Sequence, residues 1–288
     1  MPRVALVTCT ELPDLDPDDQ LVLPPLAARG VEAVPVVWDD PAIDWAGFDL
    51  VVLRNPWDYA RRREEFLAWA RAVPRLANPA ELVEWNTDKR YLRDLAAAGL
   101  PVVPTDWLEP GDAVTLPATG EYVLKPAVSA GSLDTGRYRL ADASERELAE
   151  ALATRLLARG ATVMVQPYLS AVDTAGETAL LHLGGAYSHA IRKGPMLEGP
   201  HEGEDGELFR AEQIDPRQPS QAERELARAA LDVIPGDHHE LLYSRVDVIP
   251  GPTGMPVVLE VELTEPSLFL AHGDGAAERL AGAIVARL

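Results

Sequence analysis

The sequence predicts a mixed α/β fold, and three features carry this prediction. Over roughly the first 80 residues, apolar strand-like runs alternate with helix-like segments, a pattern typical of a small parallel sheet. Further along, the glycine pair 184–185 and the turn cluster PGPTG at 250–254 each separate two strand-like runs, which indicates antiparallel hairpins. A chain of 288 residues is also long enough to bury a sizeable core and to divide into subdomains.

The N-terminal part is predicted to contain three strands with helices between them. The strands are the runs RVALVTC, VEAVPVVW and FDLVVLRN, which are rich in β-branched residues. The segment DPDDQLVLPPLAARG is predicted as a loop and a helix that ends at Gly30, and RRREEFLAWARAV as the next helix. A further helix in NTDKRYLRDLAAAG is predicted to begin at Asn86 or Thr87 and to end at Gly99.

The remaining elements follow from the same patterns. EYVLKP and TVMVQPYL are strand-like, the second broken at Pro167, and ASERELAEALATRLLARG is helix-like. The run ETALLHLGGAYSHAIRK predicts a hairpin, and the polar run from Gly194 to Gly206 predicts a mobile loop. Residues 220–234 and the C-terminal segment are predicted as helices.

Charge and composition exclude several classes of partner. The net charge of −20 and the isoelectric point near 4.6 argue against nucleic acid and against an anionic membrane. No run approaches the ~20 apolar residues of a membrane span, and the N-terminus MPRVALVTCTELPD lacks the build of a signal peptide. The single cysteine, Cys9, excludes an intrachain disulfide and a zinc–thiolate cluster. We therefore expect a cytoplasmic protein whose partner is a small molecule.

A charged face in the last predicted hairpin is the first indication of chemistry. Side chains alternate along a strand, so Glu260 and Glu262 share one face, as do Arg245 and Asp247 in the preceding strand. Folding the hairpin about the middle of its turn sets Asp247 opposite roughly Val258 and Arg245 opposite roughly Glu260. Two glutamates on one face repel each other unless something positive lies between them. The face is either a solvated polar surface or an oxygen-rich site for Mg²⁺, which is usually shared with nucleotide phosphates.

Lys125 is the second indication. It ends the strand VLKP and precedes a Gly/Ser-rich turn, which suits polyphosphate binding by a point charge and backbone N–H groups, although a surface lysine before a plain hairpin is the alternative. Other motifs fail. GSLDTGR is followed by a strand and has Arg137 and Tyr138 where a P-loop requires Lys and Ser or Thr, and the adjacent His238 and His239 lack ligand spacing.

The order of the motifs carries a resemblance to a known family. From residue 86 onward the chain contains, in sequence, NTDKRYL, YVLKPAVSAGS, MVQPYL with a later GE, IRKG, SRVDVI and VLEVELTEPS. In this order the motifs resemble the ATP-grasp superfamily of carboxylate–amine ligases, which includes glutathione synthetase and D-alanine–D-alanine ligase. RNPWDY and ELTEPSLFL are similar to the narrower O-ureido-serine cyclo-ligase group of the cycloserine pathway.

The resemblance implies an ATP-grasp fold with three parts. These are a small parallel-sheet substrate domain at 1–84, a central domain with a glycine-rich lid at 85–165, and a C-terminal antiparallel-sheet domain at 166–288 that binds ATP and magnesium.

The resemblance also implies, position by position, the contacts of ATP and of Mg²⁺, with two ions bound and Mn²⁺ as an alternative metal. The residues implied to contact the nucleotide are Lys89 and Lys125 at the phosphates, Ser129, Gly131 and Ser132 in the closing turn, Gln166, Tyr168 and Leu169 at the adenine, and Glu177 at the ribose. The residues implied to act in catalysis are Arg192 and Lys193 at the transferred phosphoryl group, Arg245 at the oxyanion, and the metal ligands Asp247, Glu260 and Glu262. Many relatives have asparagine at the last of these positions, so the extra charge of Glu262 is expected to alter metal loading.

The substrate residues implied by the narrower resemblance lie in two motifs. Arg54 ends an apolar strand, where open parallel sheets place ligand-binding loops, and its planar fork suits a carboxylate or ureido oxygen. Trp57 and Tyr59 would wall a small pocket, and Glu265 would meet the ammonium group of an amino-acid-like substrate. The alternative makes Trp57 a core anchor and Arg54 a surface ion pair, and both interpretations stay open.

The implied reaction begins with attack of a substrate carboxylate on the γ-phosphate of ATP, and an amine nitrogen then attacks the resulting acyl phosphate. A short N-terminal domain and the narrower resemblance predict that this amine belongs to the same molecule as the carboxylate. An intermolecular amino-acid ligase, a kinase-like protein and a nucleotide-binding protein without catalysis are the alternatives, and a homodimer is left open.

Overall fold

The computed structural model describes residues 1–195, 197, 199–200 and 213–288. The predicted loop from Gly194 to Gly206 lies for most of its length outside these residues. Within them the chain forms one parallel and two antiparallel sheets with helices packed on their faces, which confirms the predicted mixed α/β class. Among the described helices, none is long and apolar enough to cross a membrane.

The N-terminal sheet is parallel and has the strand order β2-β1-β3-β4. Its strands are β1 (Arg3–Thr8), β2 (Glu32–Val37), β3 (Leu50–Asn55) and β4 (Leu76–Ala77). β3 is buried along its whole length, as expected for a parallel strand covered on both faces. Val51 and Leu53 pack with Phe66 of α2 (Arg63–Ala72), whereas Val52 packs with Leu26 of α1 (Leu23–Ala28) on the other face.

Two short helices, α3 (Ala80–Asn86) and α4 (Tyr91–Ala97), replace the single helix predicted from Asn86 or Thr87. The predicted start is wrong because Asn86 is the last residue of α3. Its side chain donates to the carbonyl of Val261 at 2.7 Å and accepts from the N–H of Leu263 at 2.6 Å. Asn86 therefore anchors the C-terminal sheet instead of capping a helix.

The central sheet is antiparallel and has the strand order β5-β8-β6-β7. Its strands are β5 (Asp106–Leu108), β6 (Glu121–Pro126), β7 (Gly136–Arg139) and β8 (Val163–Pro167). Helix α5 (Ala143–Ala158) packs on it through Leu152 and Leu156. All of β8 pairs with β6, so the predicted domain boundary between residues 165 and 166 falls inside a strand.

The C-terminal sheet has the strand order β11-β10-β9-β12-β13. Its strands are β9 (Glu177–Leu183), β10 (Ala186–Lys193), β11 (Ile214–Pro216), β12 (Tyr243–Pro250) and β13 (Pro256–Glu262). The short helix α6 (Val172–Ala175) precedes β9, while α7 (Gln221–Leu231) and α8 (Ala276–Val285) cover opposite faces of the sheet. Both predicted hairpins, β9–β10 and β12–β13, are present.

The register of the last hairpin differs from the prediction. Arg245 lies opposite Glu262, and Asp247 lies opposite Glu260. The predicted register was wrong because the turn lies later in the chain than assumed, with Pro250 paired to Pro256, and because a bulge follows Asp247. The four charged side chains still share one face, and each basic or acidic residue of β12 now faces a glutamate.

Candidate active site

A cavity between the central and C-terminal sheets brings together most of the site residues predicted from the sequence. Those that line it are Trp57, Lys89, Lys125, Ser129, Gly131, Ser132, Gln166, Tyr168, Leu169, Glu177, Lys193, Arg245, Asp247, Glu260, Glu262 and Glu265. They come from the ends of β6, β8, β9, β10, β12 and β13 and from the connections beside them. Separate segments of the chain thus converge on one site.

The three carboxylates expected to bind metal are each paired with a basic side chain. Lys89 lies 3.0 Å from Glu260, and Lys193 lies 2.7 Å from Asp247. Arg245 donates to Asp247 at 2.9 Å and also to Glu262. The positive partners that two glutamates on one face require are therefore side chains of the protein itself.

These pairs act differently on the three carboxylates expected to bind metal. Burial favours the neutral form of Asp247, but Arg245 and Lys193 outweigh it and hold the pKa of that carboxyl below its usual range. Burial likewise opposes the charge of Glu260, but Lys89 outweighs it and the pKa is lowered. For Glu262, burial and the neighbouring carboxylates prevail over Arg245 and raise the pKa to about 8.

The pKa values of Lys89 and Lys125 are shifted in opposite directions. Burial opposes the charge of Lys89, but Glu260 outweighs it and raises the pKa, and the ammonium group donates to the carbonyl of Ser129 at 2.8 Å. For Lys125, burial lowers the pKa; Glu260 opposes this, but the nearby charges of Lys89 and Lys193 act with burial and the pKa stays low. A buried cation whose charge is disfavoured is stabilised by an incoming anion, so Lys125 fits a phosphate. The oxygen donors of Asp247, Glu260 and Glu262 fit a hard divalent cation such as Mg²⁺.

The Gly/Ser-rich turn borders the same cavity. Gly131 and Ser132 both have φ of +60°, and Asp134 has φ of +53°. Successive left-handed residues tighten the connection between β6 and β7, and glycine adopts this conformation without steric cost. The turn borders the cavity, as expected of a lid over bound phosphates. Its closure stays a prediction.

An apolar slot beside Gln166 and Leu169 was missed by the sequence reasoning. Its walls are Val103, Val123, Val172, Ile249 and Leu259. An apolar slot beside the end of β8 suits an adenine ring. Aliphatic residues on strands look like ordinary core in a sequence, so no local signal marks them.

Arg192 does not line the cavity, so the structure does not bring it together with the other residues predicted at the phosphoryl group. Side chains alternate along β10, so Arg192 and Lys193 point to opposite faces. Lys193 faces the cavity, whereas Arg192 donates to the carbonyls of Ala175 at 2.8 Å and Thr174 at 3.1 Å.

Arg54 is fully buried and does not line the cavity, so its predicted substrate contact is wrong, and so is the alternative of a surface ion pair. Its guanidinium donates to Asp19 at 2.9 Å and to the carbonyl of Pro266 at 2.6 Å. It also lies 4.8 Å from the ring of Tyr243. Arg54 thus forms a buried ion pair with Asp19 and joins β3 to the segment after β13 through its hydrogen bond to Pro266.

Tyr59 is buried behind the cavity and reaches it only through Glu265, to which its hydroxyl donates. Trp57 lines the cavity, and its Nε1–H donates to the carbonyl of Glu265 at 3.2 Å. Burial raises the pKa of Glu265 to about 7, against the effect of the Tyr59 hydroxyl. Glu265 is thus a buried carboxyl facing the cavity and held by aromatic neighbours.

His238 and His239 were excluded as metal ligands by their spacing in the sequence, but in the structure they lie close together with a carboxylate. The potential donor atoms of Asp237, His238 and His239 lie within 4.8 Å of one another, outside the cavity lining.

The chain is similar to known proteins over nearly its whole length. A family model described as D-cycloserine synthetase DcsG, N-terminal domain, matches residues 4–78. The cycloserine biosynthesis protein DcsG of Streptomyces lavendulae is 40% identical over 301 residues, which cover 99% of this chain and 98% of that protein. This chain belongs to the DcsG family of ATP-grasp ligases.

Solved structures agree with this membership. The crystal structure of D-cycloserine synthetase DcsG superposes with a TM-score of 0.87 at 38% identity, covering 99% of both chains. The D-alanine–D-alanine ligase from Bacillus anthracis complexed with ATP has a TM-score of 0.64 at 14% identity, covering 100% of this chain and 97% of that one, and shows the shared fold. As a member of the DcsG family, the chain is an ATP-dependent carboxylate–amine ligase with small-molecule substrates, which confirms the predicted superfamily and enzyme class.

Proposed function

We propose that this enzyme closes a ring within one substrate molecule: the carboxylate of O-ureido-serine is activated with ATP and then attacked by a nitrogen of the same molecule. The observation that carries the proposal is the composition of one cavity. It holds the lysines Lys89, Lys125 and Lys193, the acidic face of β12 and β13, and a small wall formed by Trp57 and Glu265. The full-length similarity to a cycloserine biosynthesis protein supports the same substrate class.

In the activation step, the three lysines bind and orient the phosphates of ATP, while Asp247, Glu260 and Glu262 would hold Mg²⁺. Two ions, with Mn²⁺ as an alternative to Mg²⁺, are proposed from the resemblance to ATP-grasp ligases. When bound, the metal offsets the negative charge of the phosphates. The substrate carboxylate attacks the γ-phosphate, so that an acyl phosphate forms and ADP leaves.

In the second step, the nitrogen attacks the acyl carbon and phosphate leaves. Arg245 is placed to stabilise the oxyanion, because its guanidinium lines the cavity and its charge is held by Asp247 and Glu262. The turn containing Gly131 and Ser132 would exclude water, which otherwise hydrolyses the acyl phosphate.

The substrate is oriented, in this proposal, by its ammonium group on Glu265 beside Trp57. Glu265 lies on the cavity wall formed by the segment that follows β13, and Trp57, which follows β3, adjoins it through a hydrogen bond to the Glu265 carbonyl. An intramolecular attack benefits from a high effective molarity and needs no second amine site. This agrees with a cavity that shares its space between the nucleotide and one small substrate.

The test is ADP release with O-ureido-serine as the only organic substrate, with mass spectrometry of the product. A cyclised product supports the proposal. Release that requires a second amino acid would instead show an intermolecular ligase. The Lys193→Ala variant is the control for contaminating ATPase activity, since Lys193 lies within the cavity.

A cytoplasmic location, where ATP is supplied, and a homodimer are proposed with the same function. Light scattering on the purified chain tests the dimer directly.

A further inference from the structure

The segment 264–271, which follows β13, forms one wall of the cavity. Glu265, Ser267 and Phe269 face the cavity from it. Until a 3₁₀ turn at Leu270–His272 the segment contains no helix or strand, so its backbone groups lack the partners that regular structure supplies.

Side chains from several elements supply these partners instead, one residue after another. The acceptor carbonyls and their donors are Thr264 with Tyr243 Oη (2.9 Å), Glu265 with Trp57 Nε1 (3.2 Å), Pro266 with Arg54 Nη2 (2.6 Å), Ser267 with Arg245 Nη1 (3.3 Å), and Leu268 and Phe269 with His189 Nε2 (3.0 and 3.2 Å). The carboxylate of Asp18 then accepts from the N–H groups of Leu270 at 2.7 Å and Ala271 at 2.8 Å. An irregular wall is thus held at every residue from 264 to 271.

His189 is the member of this set whose chemistry is most constrained. Its Nε2 can bond to two carbonyl oxygens only if it carries the proton, so Nδ1 accepts from the hydroxyl of Ser188 at 2.8 Å. That hydroxyl oxygen accepts in turn from Arg279 Nε at 2.9 Å. Burial lowers the pKa of His189, which favours this neutral form. Gly273 packs on the ring so closely that a Cβ there would lie 2.5 Å from Cγ.

Phe269 shows what the bonds hold in place. Its backbone is left-handed, with φ of 49° and ψ of 45°, a conformation that is sterically unfavourable for a residue with a side chain. Such conformations persist where the surroundings over-determine them. Here His189 binds the carbonyl, and Asp18 binds the next N–H groups. The conformation presents the Phe269 ring to the cavity, 5.7 Å from the guanidinium of Arg245.

We infer that Arg54 and His189 are positioning residues for the amino-acid-like substrate: from outside the cavity they fix the wall that carries Glu265, Ser267 and Phe269. This inference rests on the proposed function in one respect, namely that the substrate contacts this wall. Neither residue lines the cavity, and the lysines expected at ATP belong to other segments. Loss of the hydrogen bonds from Arg54 or His189 to this wall should therefore weaken substrate binding and leave ATP binding intact.

The test compares His189→Leu, which keeps the bulk but removes the donor, with His189→Gln, whose amide can still donate near the position of Nε2. We expect His189→Leu to raise the KM for the amino-acid-like substrate about tenfold, as loss of a well-formed hydrogen bond does, with an unchanged KM for ATP. His189→Gln should restore most of the substrate KM. An unchanged substrate KM in both variants, or an equal rise in both KM values, would overturn the inference.

Asp18→Ala is a second variant that can be measured if His189→Leu does not fold. It should disturb folding less, because Asp18 is only half-buried. It removes the acceptor of two wall N–H groups and should give the same split between the two KM values.

Hydrogen exchange followed by mass spectrometry supplies a readout without substrate. Amide exchange should accelerate at residues 264–273 in the variants and stay unchanged at β6 and β8. Uniform acceleration would indicate general destabilisation and overturn a positioning role. Wild type without activity on O-ureido-serine would overturn the proposed substrate alone, and the KM comparison would then use the amino acid that wild type does accept.

Discussion

Replacing Glu260 or Glu262 by glutamine should change the stability of the metal- and nucleotide-free protein in opposite directions. Glu260 forms an ion pair with Lys89 at 3.0 Å, and although burial opposes its charge, the attraction of Lys89 keeps its pKa low. Glu262 shares Arg245 with Asp247, and burial raises its pKa to about 8. From the sequence alone, removal of either charge would be expected to relieve the same repulsion.

For Glu262→Gln, the magnitude follows from the pKa. A carboxyl group with a pKa near 4.5 when unfolded and about 8 when folded contributes its full stability below pH 4.5 and loses it as the pH rises towards 8. Each pH unit in this window lowers the free energy of unfolding of the wild type by about 1.4 kcal/mol. The amide does not ionise, so the advantage of Glu262→Gln over wild type should grow by roughly 2 kcal/mol between pH 5 and pH 7, less than the full two-unit value because the Glu262 side chain is 22% exposed.

For Glu260→Gln, the sign is reversed. Because the folded pKa is lowered, the charge of Glu260 stabilises the protein above the ordinary glutamate pKa, and this contribution is lost as the pH falls. The amide leaves Lys89 buried without its carboxylate. Breaking a buried pair costs about 3–5 kcal/mol. Since the side chain of Glu260 is 22% exposed, we expect the low end of that range at pH 7 and less towards pH 4.

The assay is urea denaturation in EDTA at pH 5, 6 and 7, with Glu147→Gln on the exposed face of α5 as the control for removal of a surface charge. The reasoning fails if both site variants are destabilised at pH 7. It fails equally if the difference between wild type and Glu262→Gln stays constant across the three pH values.

Two further predictions concern the basic side chains. Lys125→Met should lose most of the stabilisation by Mg-ATP, which for wild type is about 2.7 kcal/mol at a hundredfold excess over Kd. Without ATP it should be as stable as wild type or more so, because burial disfavours the ammonium group more than the attraction of Glu260 favours it; an undiminished thermal shift with Mg-ATP would contradict the assignment. Lys193→Ala should abolish ADP release, whereas Arg192→Ala should leave the Kd for ATP nearly unchanged, since only Lys193 faces the cavity; equal losses in calorimetry and turnover would contradict the placement on β10.

Most of the cavity lining could be predicted from the sequence because its polar members lie in strand ends and turns. Lys125, Asp247 and Glu260 interrupt apolar runs, and such interruptions are visible without coordinates. The apolar slot could not be found in this way. Val103 and Ile249 differ from core residues only in facing the cavity, and that depends on how two sheets pack.

The errors in prediction arise where tertiary contacts override a local rule. Asn86 has a side chain suited to capping a helix, but that side chain is hydrogen-bonded to Val261 in β13 and to Leu263 just after it. Arg54 ends a strand of a parallel sheet, where a ligand contact was reasonable, but Asp19 lies close enough to bury it as an ion pair. Arg192 and Lys193 are equally basic, and only the strand register decides which of them faces the cavity.

The pairing of charges in the cavity links the two ligands of the proposed reaction. Lys89 is paired with Glu260, and Lys193 with Asp247, so two of the three lysines expected at the phosphates are held by carboxylates expected at a metal. ATP alone would draw the lysines to its phosphates and leave the buried carboxylates unpaired. A divalent cation alone would bind the carboxylates and leave the buried lysines unpaired. Each of these states costs free energy. When both bind, every group exchanges one partner for another and the charge balance is kept. The same ion pairs that stabilise the protein without nucleotide therefore make its affinity for ATP depend on the metal.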